Sequence, residues 1–531
     1  MSRSSYTIQT ETAQQVVQGN QNKVVFGHDL HGAIVNLVER EPATPRRWPP
    51  PLQVRPPQFP MILDREHPAA EVMSGLGAGL PVEIVGPAGV GKTTLLRHLC
   101  WTDQMREFGG VIFKEHRNDP AEDLLQFLFD SAYESEPGFK PTPGRLRQYL
   151  RDLVAVIVID DLTLPQDELE VVRNSAPACL LLTASKQNRL FEGSSVFLTG
   201  LPDDAGLLLL ERALGRPIRD DEREASATLV RALEGNPLLI RQAVSLIRLE
   251  TADIPTLARR IVAGGARDLA DESMATLPSS DLEVVQTLAV VGDIPIRASR
   301  VEELSGRPAQ RILRELQERG IVEAQRQAYI LADNVRQAAD TALNRSTLST
   351  FVDRAIGWIE REGGVVSSDD LPLLVSAIGW AADGGRWREV IQLCQGVETA
   401  LIDSCRWGRW RWTMERAAAA ARQLDDSSAV GWALHELGTL ALCYEDYGRA
   451  KNLLEQALSA RLTARDREGI ARTRHNLGVL RQLTAPSGPN AAHVGPPIRY
   501  WWLGTLAVVM AIGCSPWADS LGGSHPCGRP S

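Results

Sequence analysis

A chain of 531 residues with 44% hydrophobic and 23% charged side chains is long enough for roughly three or four domains and has a globular make-up. Its formal charge of −9 and pI near 5.6 argue against non-specific attraction to nucleic acid. Its seven cysteines show neither a C-x-x-C pair nor zinc spacing, so they read as reduced and structural. Met1 to Asn20 is polar and lacks the apolar core of a secretory signal, so the expectation is a cytoplasmic protein.

Residues 1–40 are too short to carry a core of their own. Within them, residues 14 to 37 alternate β-prone runs (Val16-Val17, Val24-Val-Phe26, Ile34-Val35) with Gly and Asn, and Gln18, Asn20, Gln21 and Asn22 are able to stack in ladders. Two readings stand: a segment that adds strands between copies of itself, or a tail or edge hairpin on the following domain. The segment resembles short amyloid-type signalling motifs. That resemblance implies a separate effector carrying a matching motif. His28 and His31 lack the partners a metal site needs. Residues 41–58, rich in proline from Glu41 to Pro57, are expected to form an extended spacer.

Residues 59–200 alternate strand and helix patterns, which predicts a parallel-sheet α/β P-loop NTPase. After the apolar run Pro81 to Val85 come Gly86, Pro87, Ala88, Gly89, Val90, Gly91, Lys92 and Thr93, a complete G-x-x-x-x-G-K-[ST] loop, then Thr94 and the helical run Leu95 to Leu99. The glycines let backbone N–H groups curl round a phosphate, Lys92 reaches the β- and γ-phosphates, and Thr93 ligates Mg²⁺. A second apolar run, Val154 to Ile159, ends in Asp160 and Asp161. Asp160 is expected to hold Mg²⁺ and Asp161 to polarise the attacking water. A third strand, Ala178 to Ala184, brings Thr183 towards the expected γ-phosphate position.

Phe59-Pro-Met-Ile-Leu-Asp-Arg65-Glu, the Asp160-Asp161 pair, Leu198-Thr-Gly-Leu-Pro202 and Gly235-Asn-Pro-Leu238 together resemble the NB-ARC-type NTPases of the STAND class. The resemblance runs from about Phe59 to Ala339. It implies an ATP/ADP switch with Mg²⁺ as cofactor, slow ATP hydrolysis involving Lys92, Asp160 and Asp161, and a homo-oligomer in the ATP state. It implies that Arg65 lies near the nucleotide and that Pro237 contacts adenine. Three positions depart from the family pattern. Asp64 stands where the family has glycine, Ser185-Lys186 replaces the arginine after the third strand, and the closing Met-His-Asp element appears as Leu331-Ala332-Asp333.

Residues 201–275 show helical spacing and are expected to form a lid. Residues 276–345 follow the order of a winged helix, with Arg311, Arg314 and Arg319 on its third helix interrupted by Glu315 and Glu318. In NB-ARC-like proteins this module clamps the resting NTPase. The alternative is an ATP-controlled transcriptional regulator that reads DNA with it, and a third reading is a scaffold without turnover.

Residues 346–488 are expected to form a helical array with tetratricopeptide-like repeats, since His435-Glu-Leu437-Gly438 recurs 40 residues on as His475-Asn-Leu477-Gly478. Gly438 and Gly478 are expected to permit close helix approach. Arg406-Trp-Gly-Arg-Trp-Arg-Trp412 reads as packing of arginine stems over tryptophan, or as a stacking surface for nucleic acid. The array is the expected site of an unidentified trigger. In the tail, 489–531, the segment 499–516 contains an uncharged core of 15 residues from Tyr500 to Cys514. A membrane helix needs about 20, so the segment reads as a short span anchoring the chain, an interfacial segment or a docked apolar tail.

Overall fold

The computed structural model describes residues 44–485 except 59–61, 117–118, 137–138, 186–192, 249–252, 266–267, 293, 326 and 363–365, together with four strands ahead of them. Residues 1–483 form one compact unit, and the fold described is that of this unit. The apolar segment 499–516 lies outside the described residues. Among those described, no helix is long and apolar enough to cross a membrane.

The four N-terminal strands form two antiparallel hairpins, β1 (Ser4–Gln9) with β2 (Gln14–Gly19) and β3 (Val24–Asp29) with β4 (Gly32–Leu37). β1 runs parallel to β3, and β2 runs parallel to residues Phe139–Pro141 of the NTPase. The backbone register pairs Tyr6 with Val17 and Val24, and Val24 with Leu37.

The proline-rich stretch is no free spacer. β5 (Arg46–Arg47) pairs with residues Tyr133–Glu134, and β6 (Leu52–Val54) becomes an edge strand of the main sheet with Leu52 buried. Prolines on both sides suit an edge, where missing N–H donors leave no gap in a ladder. The expectation for 41–58 is corrected accordingly.

The main sheet has six parallel strands. They are β6, β7 (Val82–Val85), β8 (Gly110–Glu115), β11 (Val156–Asp160), β12 (Leu180–Ser185) and β13 (Ser194–Phe197), in the order β13-β7-β12-β11-β8-β6. The short strands β9 (Tyr133–Glu134) and β10 (Phe139–Pro141) serve the pairings already given. Side-chain alternation sorts the apolar runs into two layers. Ile84, Val156, Val158, Leu182 and Ala184 pack with α1 (Glu66–Gly77), α2 (Lys92–Leu99) and α3 (Gln104–Glu107). Ile157, Ile159 and Leu181 pack with α4 (Ala121–Ala132), α5 (Pro143–Leu150) and α6 (Gln166–Ser175).

Five helices follow: α7 (Asp203–Leu214), α8 (Arg223–Ala232), α9 (Pro237–Arg248), α10 (Ile254–Gly264) and α11 (Asp268–Ala275). They close a separate core around Leu210, Leu229, Ile240 and Leu257. Then come α12 (Ser279–Val291), β14 (Ile296–Arg297), α13 (Ala298–Ser305), α14 (Ala309–Glu318), β15 (Val322–Gln325), β16 (Ala328–Leu331) and α15 (Asp333–Ala342), with the strands in antiparallel order β14-β16-β15.

The rest is a helical array: α16 (Arg345–Arg361), α17 (Leu371–Asp383), α18 (Trp387–Asp403), α19 (Trp407–Gln423), α20 (Ser427–Cys443), α21 (Tyr447–Ala464) and α22 (Arg467–Thr484). Its last four turns carry a residue at positive φ every twentieth position: Cys405 (57°), Asp425 (52°), Glu445 (61°) and Arg465 (57°). The next residue in three of those turns is an aspartate that caps the following helix. Asp426 accepts from Ser428 and Ala429 N–H, Asp446 from Arg449 N–H and Asp466 from Gly469 N–H. Gly438 does admit its neighbour, since a Cβ there would lie 2.7 Å from Leu454 Cγ. Gly478 does not; nothing lies within 4 Å of such a Cβ.

Candidate nucleotide-binding site

The loop between β7 and α2 is shaped by its glycines. Gly89 and Gly91 sit at φ 74° and 105°, in the left-handed region that an L side chain avoids. A Cβ on Gly89 would also lie 2.5 Å from Leu238 Cβ. Gly91 caps α2 without a side chain, which leaves the first N–H groups of that helix without intrahelical partners. Lys92 is the first helical residue, buried, with Nζ donating to the carbonyls of Gly86 and Pro87 at 2.9 Å each. Thr93 Oγ1 donates to Asp160 Oδ1 at 3.0 Å. The loop therefore holds an ammonium inside its curl and a hydroxyl–carboxylate pair beside it.

Asp160 ends β11 fully inside the protein. Burial first, and then the charge of Asp161, pushes its carboxyl up to about 7. Asp161 follows at φ 53° and is exposed, so the two acids leave the strand in different directions. Thr183 does not face this site. Leu182 and Ala184 pack with Leu95 and Leu96 of α2, so alternation sends Thr183 to the opposite layer, where it is buried. Ser185, on that same face, donates to Glu83 Oε1 at 2.6 Å. Lys186 lies outside the described residues.

Two further modules reach the loop. Arg65 is buried and donates from Nη2 to Val90 O at 3.0 Å, and Asp64 before it adopts φ 48°, the conformation for which a glycine serves. From the helical module of α7 to α11, Asn236 donates from Nδ2 to Ala88 O at 2.9 Å, while its Oδ1 accepts Leu238 N–H and so caps α9. Pro237, the first residue of α9, is thereby held beside the loop. Thr94 sits in the first turn of α2.

The fold is that of a P-loop NTPase joined to an α-helical repeat array. No protein-family model and no curated protein matches the chain. The structure is similar to that of a signal transduction ATPase with numerous domains (STAND) from Pyrococcus horikoshii, which has a tetratricopeptide repeat sensor. The TM-score is 0.51 at 16% identity, over 81% of this chain and 66% of that one. At such identity the likeness speaks for the fold alone. A Walker-type ATPase of Pyrococcus abyssi (14% identity, 55% of this chain and 99% of that chain) and a RuvB mutant of Thermotoga maritima (14%, 54% and 98%) overlap with TM-scores of 0.29 and 0.27, too low to carry an argument.

Asn236 lies within the Gly235 to Leu238 motif without a role of its own there, and Arg336 and His116 lie near the site and outside every motif. Asn236 was legible as a cap, since Asn before Pro suits a helix start. Arg336, on α15, donates to Leu331 O at 3.2 Å and lies within electrostatic reach of Asp161; burial lowers its pKa while Asp340 and Asp161 act in the opposite sense. Nothing near Arg336 in the sequence announces it, because its neighbour is 175 positions away by number (336 − 161). Asp333 opens α15. His116 donates its backbone N–H to Asp160 O at 3.0 Å, and its ring joins Thr163 Oγ1 at 2.8 Å and Asp119 O at 3.0 Å. Burial holds its pKa below the usual value.

The tryptophan run 406–412 is an interior surface. Trp407 and Trp410 are buried and meet edge to face at 6.2 Å, and Arg416 lies 3.7 Å over Trp412. Two rings shut inside the protein do not stack on bases. The run instead packs against α4 of the NTPase, with Arg411 paired to Glu122 at 2.9 Å.

Proposed function

We propose that the chain is a STAND-type signalling switch that binds ATP or ADP with Mg²⁺ at the loop Gly86 to Thr93 and hydrolyses ATP slowly. The observation that carries this reading is that side chains from the lid and from the segment before α1 both hold the phosphate loop, with a charge of α15 within electrostatic reach of the acid pair beside it. The lid touches it through Asn236 and Leu238, the segment before α1 through Arg65, and the module of α12 to α15 reaches Asp161 through Arg336. A nucleotide held there has a different contact set in an open and a closed arrangement, which is what a ligand needs to shift such an equilibrium.

The donor set fits the nucleotide. Lys92 and the N–H groups at the start of α2 suit phosphate oxygens, and Thr93 with Asp160 suits Mg²⁺. Bound Mg²⁺ would neutralise phosphate charge, Asp161 would orient the water, and Pro237 would lie against the base. Residues 276–345 act in this reading as an internal winged helix that clamps the NTPase. The DNA-reading alternative has less support, because Arg311 is paired with Glu315 at 3.6 Å on the same helix. The helical array senses the trigger, ATP for ADP exchange frees the modules, and NTPases assemble into a homo-oligomer that gathers the N-terminal strands to engage an effector.

The test is the nucleotide carried through purification, with mass in solution before and after exchange to a nonhydrolysable ATP analogue, on wild type and Lys92→Ala. ADP on a monomer that assembles only when Lys92 is present supports the switch. An empty chain of unchanging mass in both overturns it.

A further inference from the structure

Helices α17, α18 and α19 have no side-chain cap from within the array, and for α19 one is supplied from outside it. Asp426, Asp446 and Asp466 cap α20, α21 and α22 at a spacing of twenty residues, but the corresponding position ahead of α19 is Arg406, which makes no cap. The carboxylate comes from the NTPase. Asp123 Oδ1 accepts Gly408 N–H and Asp123 Oδ2 accepts Arg409 N–H, both at 2.9 Å. These two donors occupy the same places in α19 as Ser428 and Ala429 in α20, the pair that Asp426 serves. Position 386 also carries arginine, but that side chain is engaged by Ser349, Asp353 and Glu389 within the array.

Everything around this turn is complementary to acid. Arg406 and Arg409 lie 3.7 and 3.6 Å from Asp119, and Arg411 lies 2.9 Å from Glu122. Gly408 leaves room for the incoming helix, since a Cβ there would stand 3.1 Å from both Asp123 Oδ1 and Pro120 Cβ. Lys140 completes the grip from the NTPase side, donating to Cys405 O at 3.0 Å and lying 5.5 Å over the Trp407 ring. The acids themselves connect to the nucleotide site: Lys114 pairs with Asp119 at 3.1 Å, and the Asp119 carbonyl meets His116, whose backbone N–H bonds Asp160 O.

We infer that the turn from Cys405 to Arg411 is a binding surface for paired carboxylates, that α4 of the NTPase occupies it in this arrangement, and that an acidic peptide partner competes for it and frees the array. The uncapped helix start with three arginines around it binds whichever carboxylates are presented at the higher effective concentration. In the closed chain those belong to Asp119, Glu122 and Asp123. An acidic partner must outcompete this intramolecular contact, so its apparent affinity is set by how often the contact opens. The consequence for nucleotide exchange rests on the switch reading; the binding itself does not.

The test uses the full chain and a synthetic peptide copying residues 119–132. Binding is read by anisotropy of the labelled peptide, and bound ADP is followed in the same sample. Asp123→Ala removes the carboxylate that caps α19 and weakens the intramolecular hold, so the peptide is expected to bind at least about tenfold tighter than to wild type. Arg406→Asp supplies α19 with the cap its neighbours have, so it is expected to keep or raise the thermal stability of the array while abolishing peptide binding and loosening the NTPase contact. That second variant guards against loss of fold as an explanation. A peptide in which the positions of Asp119, Glu122 and Asp123 carry Asn and Gln is expected not to bind. Equal peptide affinity for wild type, Asp123→Ala and Arg406→Asp, or no binding by Asp123→Ala, overturns the proposal. Peptide binding without a change in ADP release keeps the surface and rejects its link to the switch.

Discussion

The loop from Gly86 to Thr93 and the α18–α19 turn both lead into a helix N-terminus, and they are assembled by different routes. In the loop, one octapeptide supplies the left-handed glycines, the buried ammonium and the hydroxyl, and Asp160, Arg65 and Asn236 join it from elsewhere. In the turn, the donors stand on α19 and the carboxylate stands 285 residues earlier, on α4. A site whose main groups lie in one stretch keeps those groups together when the modules around it move. A site shared between modules exists only while they are docked, which suits the second to reporting the arrangement and the first to binding a ligand throughout.

The largest expected effect is at the loop. Lys92→Ala should weaken ADP by about 100-fold, the worth of about 3 kcal/mol for a charge-assisted contact, in a titration of fluorescent ADP, with the fold unchanged by circular dichroism. Retained affinity would mean that the loop does not hold phosphate. Next come the glycines of the array. Gly438→Ala forces a methyl against Leu454 and should cost about 1–3 kcal/mol in chemical denaturation. Gly478→Ala meets open space and should instead stabilise its helix by up to about 1 kcal/mol. Identical effects at the two positions would erase the distinction between them.

The shared site should also respond to pH. Burial, more than any neighbour, raises the Asp123 carboxyl to about 6, against the partial relief given by Lys140. A folded value above the unfolded one means that the native chain binds the extra proton. This group's contribution therefore favours folding near pH 4 and is lost as pH rises through about 6. Asp123→Asn should remove that dependence, so between pH 4.5 and 7 its Tm should gain on wild type by the equivalent of about 1–2 kcal/mol. A constant offset between the two proteins would place the carboxyl in its ordinary range. The smallest effect is expected for Arg336→Ala. It should change ADP or ATP affinity by about three- to tenfold, since one partly buried charge at a distance contributes modestly; no change would remove α15 from the site.

Periodicity within short windows made much of this legible. The strand and loop from Pro81 to Thr93 and the apolar run to Asp160 are local patterns, and the structure realises them in register. The capping aspartates at 426, 446 and 466 were equally local, but a 20-residue interval is half of the 40-residue repeat, and the matching His-x-Leu-Gly tetrads drew the longer period. Thr183 misled because its strand ends on polar residues, and only the alternation against α2 tells which face each occupies. The proline-rich stretch misled because composition reports the lack of N–H donors and not whether a sheet edge is waiting for the chain.

The sequence by itself determined the glycine, lysine and hydroxyl pattern of the phosphate loop, the parallel α/β layer around it and the helical character of residues 203–248 and 346–484, because backbone conformation and amphipathic period are set by residues within a few positions of one another. Tertiary structure alone decided that Asn236 bonds that loop, that Arg336 comes within electrostatic reach of Asp161, that Trp407 and Trp410 are interior, and that Asp123 caps a helix 285 residues further along the chain. Those pairings depend on which surfaces exclude water together, and burial between distant segments leaves no periodic trace in either one.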